Sequence, residues 1–313
     1  MKFFLLSFLF LFPLFARSQA LSFLLKDYLI LPHTRNLHRI SGLEYRSDRR
    51  EWQLADDRGQ YHIFRNIRQP TDWVCQLDSS FRTDLYLEAV RYDAAADRYY
   101  FSVETDQESY VGFKDHAMPK TGESFMRIPL PHPLPVDHNK GIEALALTPN
   151  YLWVAPEAGS VAEARIDNPF IHFYRYRKTA EGVILDGEFQ YEMARNVCPS
   201  DSNECLGGIS EIISIPDEEN RLLVLERCYD KTTKTVTAKL YEALVDEANK
   251  QLCKRTDQPA FDFNYRNGFQ PDNLEAMAWG EDENGKKILV LISDDNNNRS
   301  QWTQIIYLEL QPN

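Results

Sequence analysis

Positive charge is in short supply in this chain: Lys and Arg number 35 against 47 Asp and Glu, for a formal net charge of -12. The basic residues nowhere form a stripe interleaved with aromatics, which argues against a nucleic-acid partner. Linkers are missing too. No stretch rich in Gly, Pro or Ser divides the chain, and single all-β domains reach this length, so residues 19–313 read as one domain. Several chemistries lack their motifs: there is no Gly-rich nucleotide loop, no Walker motif, no C-x-x-C, no H-E-x-x-H and no EF-hand loop. The segment "GGISE", Gly207 to Glu211, lacks the second glycine of a G-x-S-x-G elbow and opens a strand, which makes Ser210 a strand residue.

The five cysteines match no zinc spacing. The first eighteen residues, "MKFFLLSFLFLFPLFARS", have a lysine, a short apolar block and small residues at a cleavage spacing, and read as a secretory signal peptide cut before Gln19. The expected product is exported, periplasmic or secreted, and free of the membrane after cleavage. Export favours disulfides. Cys198 could close on Cys205 and Cys228 on Cys253, with Cys75 left over, but the pairing is open at this level.

What the chain has in quantity is acid at repeated places. Five segments align on it: "GLEYRSDRREWQLADDRG", "LEAVRYDAAADRYYFSVETD", "GIEALALTPNYLWVAPEAG", "ISEIISIPDEENRLLVLERCYD" and "LEAMAWGEDENGKKILVLISDDNN". Each runs from an apolar residue and a Glu through a short strand, a polar turn and a second strand to a closing acid. The leading acids are Glu44, Glu88, Glu143, Glu211 and Glu275. Short strands, Asp/Asn/Gly turns and no sustained helical periodicity at such a repeat length predict a β-propeller. The longer intervals leave room for a sixth blade or for outer hairpins, and the expected architecture is all-β, a six-bladed propeller with irregular blades. "PFIHFYRYR" and "TVTAKLYEALV" supply outer strands. The five tryptophans sit on apolar strands and are expected between blades.

Because innermost propeller strands line the channel, acids repeated on them are expected to ring one mouth. Five ionised glutamates repel one another unless water or a cation lies among them. Hard cations take about 6 to 8 oxygen ligands, and Glu44, Asp56, Asp57, Asp294 and Asp295 offer carboxylates for Ca²⁺ or another divalent ion. An equally open reading makes "DDNNN" an Asx-rich turn bonded to its own backbone. Phosphate chemistry also needs cations, and Lys140, Arg227, Arg58 and Arg299 lie beside the acid motifs as candidate substrate contacts, or else as strand-end ion pairs. Glu143, Glu211 and Glu275 are the candidate catalytic carboxylates. His38, His138 and His172 form no metal-ligand spacing.

"SGLEY" with "LADDRG", "GIEALAL" with "LWVAPE", "ISEIISI" with "LLVLER", and "NLEAMAW" with "SDDNNN" then "TQIIYLEL" resemble the phytase-like family called "esterase-like activity of phytase", in that family's order and over roughly residues 40–310. The closing pair is the most specific part. Ala144 and Ala276 stand where the family often has Gly, and the acid-rich metal motifs of the calcium-dependent propeller phytases are not recognisable. The resemblance implies a propeller that hydrolyses a phosphoester or ester of a small molecule. The competing expectation is a non-catalytic propeller that binds a ligand or partner at its mouth.

Overall fold

The computed structural model describes residues 20–33, 37–74, 77–105, 107–132, 141–158, 170–194, 197–198, 205–263 and 270–312. The expected leader, Cys75, His138 and Lys140 lie outside them. Strand β1 (Phe23–Ile30) comes first and waits for a partner from the other end of the chain. Blade 1 is β2 (Ile40–Arg46), β3 (Glu51–Asp56), β4 (Gln60–Arg65) and β5 (Leu77–Arg82), with a 3₁₀ turn at Pro70–Val74. Blade 2 is β6 (Leu87–Asp93), β7 (Arg98–Glu104), β8 (Ser109–Asp115) and β9 (Met126–Ile128). Blade 3 is β10 (Ile142–Leu147), β11 (Tyr151–Pro156), β12 (Phe170–Lys178) and β13 (Val183–Glu192). Blade 4 is β14 (Cys205–Ser214), β15 (Arg221–Asp230), β16 (Thr235–Asp246) and β17 (Gln251–Lys254), with β18 (Phe261–Asp262) on the free part of β16. Blade 5 is β19 (Asn273–Glu281), β20 (Lys287–Asp294) and β21 (Gln304–Leu310), and β1 is its fourth strand, running antiparallel to β21 from Phe23 opposite Leu310 to Ile30 opposite Gln304.

The propeller therefore has five blades among the described residues, not six. The first strands pack in sequence, β2 on β6, β6 on β10, β10 on β14 and β14 on β19, and β19 returns to β2, which leaves no gap for another blade. Longer strands in blades 3 and 4, together with β18, take up part of the long repeat intervals. A short parallel pairing, Gln190 opposite Gln251 and Tyr191 opposite Leu252, joins the outer edges of blades 3 and 4.

Five apolar clusters each fill one interface between neighbouring blades. Between blades 5 and 1, for example, Ile40, Leu43, Trp52 and Leu54 meet Ala276, Ile288, Val290 and Ile305. The close approach there requires glycine at 280, since a Cβ would fall 2.2 Å from Trp52 Cζ2. Trp52, Trp73 and Trp153 are buried as expected, whereas Trp302 is 43% exposed. Neither foreseen disulfide forms: Cys198 pairs with Cys228, and Cys253 is a free, exposed thiol. The actual bridge ties the segment that follows β13 to β15, a proximity that only the stacking of blade 3 on blade 4 creates.

Candidate functional site

All five first strands carry a β-bulge at the same place. The register skips one residue between Ile40 and Gly42, Leu87 and Ala89, Ile142 and Ala144, Ile209 and Glu211, and Leu274 and Ala276. A bulge leaves its extra residue unpaired and re-aims its side chain. The bulged residues are Ser41, Glu88, Glu143, Ser210 and Glu275, so this position is carboxylate in three blades and hydroxyl in two. On the second strands, the residue just beyond the partner of the pre-bulge position is Asp57, Glu104, Glu157, Arg227 and Asp294 in turn. Two concentric sets of side chains thus arise from one structural repeat.

Members of both sets line a cavity of about 1070 Å³: Asp57, Glu88, Glu143, Glu157, Glu275 and Asp294, with Arg227 among them. Lys234 also borders it, and Tyr28, Ile30 and Trp302 form an apolar part of its rim. Arg227 donates to Glu275 Oε1 at 2.9 Å and approaches Glu157 Oε1 at 3.7 Å. Asn273 donates its side-chain amide to the same Glu275 oxygen at 2.6 Å. Glu104 stands just behind the cavity wall and accepts the Gly141 N–H at 2.6 Å. That contact requires glycine, because a Cβ at 141 would sit 2.1 Å from Glu104 Oε2.

The crowding of acid is visible in proton affinity. Burial first, and then the neighbouring carboxylates Glu143 and Glu275, hold Glu88 well above the usual carboxylate range. Burial, Glu157 and Glu275 do the same to Glu143, against the opposing pull of Arg227. Asp294 is pushed up to about 9 by burial and then by Glu275, although Asn296 N–H donates to it. Burial also raises Asp57, despite Arg39 and Arg58 nearby, and Glu104. A low-dielectric well in which several carboxyls share too little positive charge favours either protons or a cation.

The structure thus brings Glu143, Glu275, Asp57, Asp294 and Arg227 together, and corrects the placing of the others. Glu44 and Glu211 do not reach this mouth. They fall three residues and one residue past their bulges, and strand alternation turns them elsewhere. Both meet Arg91, which stands three residues past Glu88: Arg91 lies 2.6 Å from Glu211 Oε2 and 4.0 Å from Glu44 Oε2. Glu44 and Arg91 line a different, smaller cavity of about 250 Å³ with Tyr45, Trp279 and Glu281. Burial lifts Glu44 and Glu211 each to about 7 against the lowering effect of Arg91. The Arg91 guanidinium also donates to the carbonyls of Leu43, Val90, Leu145 and Ile212, and so joins blades 1 to 4 in the channel.

Asp56 is the last residue of β3, and its side chain accepts the Arg58 and Gln60 N–H groups of the turn that follows. Asp295 turns away from the mouth to His38, at 2.6 Å from Nδ1. Arg58 is exposed beside Asp57, and Arg299 lies exposed on the turn after β20; neither borders the mouth. Glu88 is a leading acid to which its repeat position alone assigns no role, and no motif singles out Glu104, Glu157 or Arg91. The signal for the second set was present as the closing acid of "VETD" and "APE".

A family described as "Phytase-like: Esterase-like activity of phytase" matches residues 35–297. No curated protein matches the chain. Among solved structures, the endo-arabinase from Bacteroides thetaiotaomicron superposes with a TM-score of 0.52 at 11% identity, covering 92% of this chain and 99% of the other. A glucose dehydrogenase gives 0.51 at 12% identity, covering 92% of this chain and 100% of the other. At such identities these likenesses speak for the propeller fold alone.

Proposed function

From the premise that the chain belongs to the phytase-like family described as esterase-like activity of phytase, we propose that the acidic mouth binds a hard divalent cation, Ca²⁺ first, and hydrolyses a phosphoester of a small molecule. The observation that carries this reading is the convergence of Asp57, Glu88, Glu143, Glu157, Glu275 and Asp294 on one cavity around Arg227. The donor set fits such an ion: its ligands are carboxylate oxygens, and no His or Cys borders the cavity among the described residues. Asp57, Glu88, Glu157 and Asp294 are the holders. A bound divalent ion supplies offsetting charge for a phosphoryl group that bare carboxylates would repel.

The remaining roles fall to this chain's own side chains. Arg227 turns its donors to the phosphoryl oxygens, in a forked geometry suited to phosphate. Glu275, oriented by Arg227 and Asn273, aligns the attacking water and accepts its proton. The water oxygen bonds to phosphorus, the ester P–O bond breaks, and the leaving oxygen takes the proton held on Glu143. The leader read from residues 1–18 supports an exported, periplasmic or secreted setting for this chemistry.

Thermal melts with EDTA and then with Ca²⁺ or Mg²⁺ restored test the reading, alongside turnover of a phosphoester panel. A ligand bound only by the folded state stabilises by about 2.7 kcal/mol at a hundredfold excess over Kd. Asp294→Asn should remove most of that rise and the turnover, whereas Glu275→Gln should remove the turnover and leave most of the rise. A melting temperature indifferent to both Ca²⁺ and Mg²⁺, with no hydrolysis, would leave the mouth as a non-catalytic binding site.

A further inference from the structure

Three side chains outside the mouth converge from opposite ends of the chain. His33 and His38 lie on the crossover between β1 in blade 5 and β2 in blade 1, and Asp295 follows β20. One ligand atom from each lies within 4.8 Å of the other two. His38 Nδ1 is 2.6 Å and His33 Nδ1 3.9 Å from the same oxygen, Asp295 Oδ2. The other oxygen, Oδ1, accepts the N–H groups of Arg39 and Asn297 at 3.2 and 2.9 Å, which fixes the carboxylate in place. Asp295 is 1% exposed, while the two imidazoles remain partly open to solvent. The His33 ring lies against the Trp302 indole with centroids 4.6 Å apart, which restricts its orientation.

We infer that His33, His38 and Asp295 form a site for a borderline divalent metal of the Zn²⁺ type, distinct from the mouth. Two imidazoles and one carboxylate are donors such ions prefer, whereas Ca²⁺ prefers oxygen alone. With metal–ligand bonds of about 2.0 to 2.2 Å, tetrahedral donors lie roughly 3.3 Å apart. That spacing requires the His38–Asp295 hydrogen bond to open slightly and His33 to close in, and the partial exposure of both imidazoles leaves solvent at hand as a fourth ligand. The consequence is mechanical. Closure of the propeller depends on β1 joining β21, and the metal fastens the segment leaving β1 to the end of β20 in the same blade. Arg39 extends the link to the mouth, since its N–H bonds Asp295 and its guanidinium reaches Asp57 at 3.3 Å.

The test is a titration of metal-stripped protein with Co²⁺, a spectroscopic substitute for Zn²⁺, with a parallel thermal melt in Zn²⁺. The expected result is one equivalent of Co²⁺ with visible ligand-field bands, quenching of Trp302 fluorescence that is absent in Trp302→Phe, and a higher melting temperature with Zn²⁺. His33→Gln and His38→Gln should abolish the bands. Both histidines are partly exposed, so these variants keep the fold even if Asp295→Asn does not. Glu88→Gln, which removes one of the proposed Ca²⁺ holders at the mouth, should leave the bands unchanged and so separates this site from any Ca²⁺ site. Absence of bands in the unmodified protein, their persistence in both histidine variants, or their loss in Glu88→Gln overturns the inference.

Discussion

Replacing Arg91 with Met would remove the one guanidinium that joins four blades in the channel while keeping most of its volume. At pH 5 the loss is chiefly of hydrogen bonds to the carbonyls of Leu43, Val90, Leu145 and Ile212. Stranding buried acceptors of this kind costs about 3 to 5 kcal/mol in all. The ion pair with Glu211 adds a part that depends on pH. Burial raises Glu211 from its usual 4.5 to about 7, with Arg91 holding it down. Its contribution to stability is therefore complete below about 4.5 and is lost as the pH rises through about 7, where it levels off. Without Arg91 the carboxyl binds its proton still more tightly, and the loss continues past 7. At about 1.36 kcal/mol per pH unit, the Arg91→Met variant should be roughly 1.4 kcal/mol more destabilised at pH 8 than at pH 5. Glu44, 4.0 Å from Arg91 and also raised to about 7, acts in the same direction. Urea denaturation at the two pH values measures the difference, which should shrink when the same substitution is made in a Glu211→Gln background. An equal cost of Arg91→Met at pH 5 and pH 8 would refute the argument that Glu211 titrates against this arginine.

Two further substitutions probe the surroundings of the mouth. Gly141→Ala forces a Cβ onto the Glu104 carboxylate and should cost about 1 to 3 kcal/mol while weakening any Ca²⁺-induced rise in melting temperature; an unchanged melt would mean that Glu104 is free to swing aside. The Cys198–Cys228 bridge spans 30 residues, and replacing both cysteines with Ser should lower stability by roughly 3.5 kcal/mol by the chain-entropy relation. Equal stability in oxidised and reduced protein, followed by denaturant unfolding, would contradict that figure.

Local patterning in the chain alone determined a good deal. Alternating strands, polar turns and acid at each repeat head specified an all-β propeller, because a blade's inner hairpin is a local structure and its pattern survives in one dimension. The same reading brought Glu143, Glu275, Asp57, Asp294 and Arg227 into view as members of one site. The tertiary structure decided what depends on phase and on distance. A one-residue shift turns a strand side chain to the opposite face, so only the bulge position shows that Ser41 and Ser210, not Glu44 and Glu211, are the counterparts of Glu88, Glu143 and Glu275. Apolar spacing cannot reveal that shift, since the glutamate occurs in every repeat whichever way it points. The number of blades is set by how the inner strands close on one another, with β1 returning to β21. The meeting of His38 with Asp295, 257 residues apart in sequence, exists only because that closure brings the ends of the chain together.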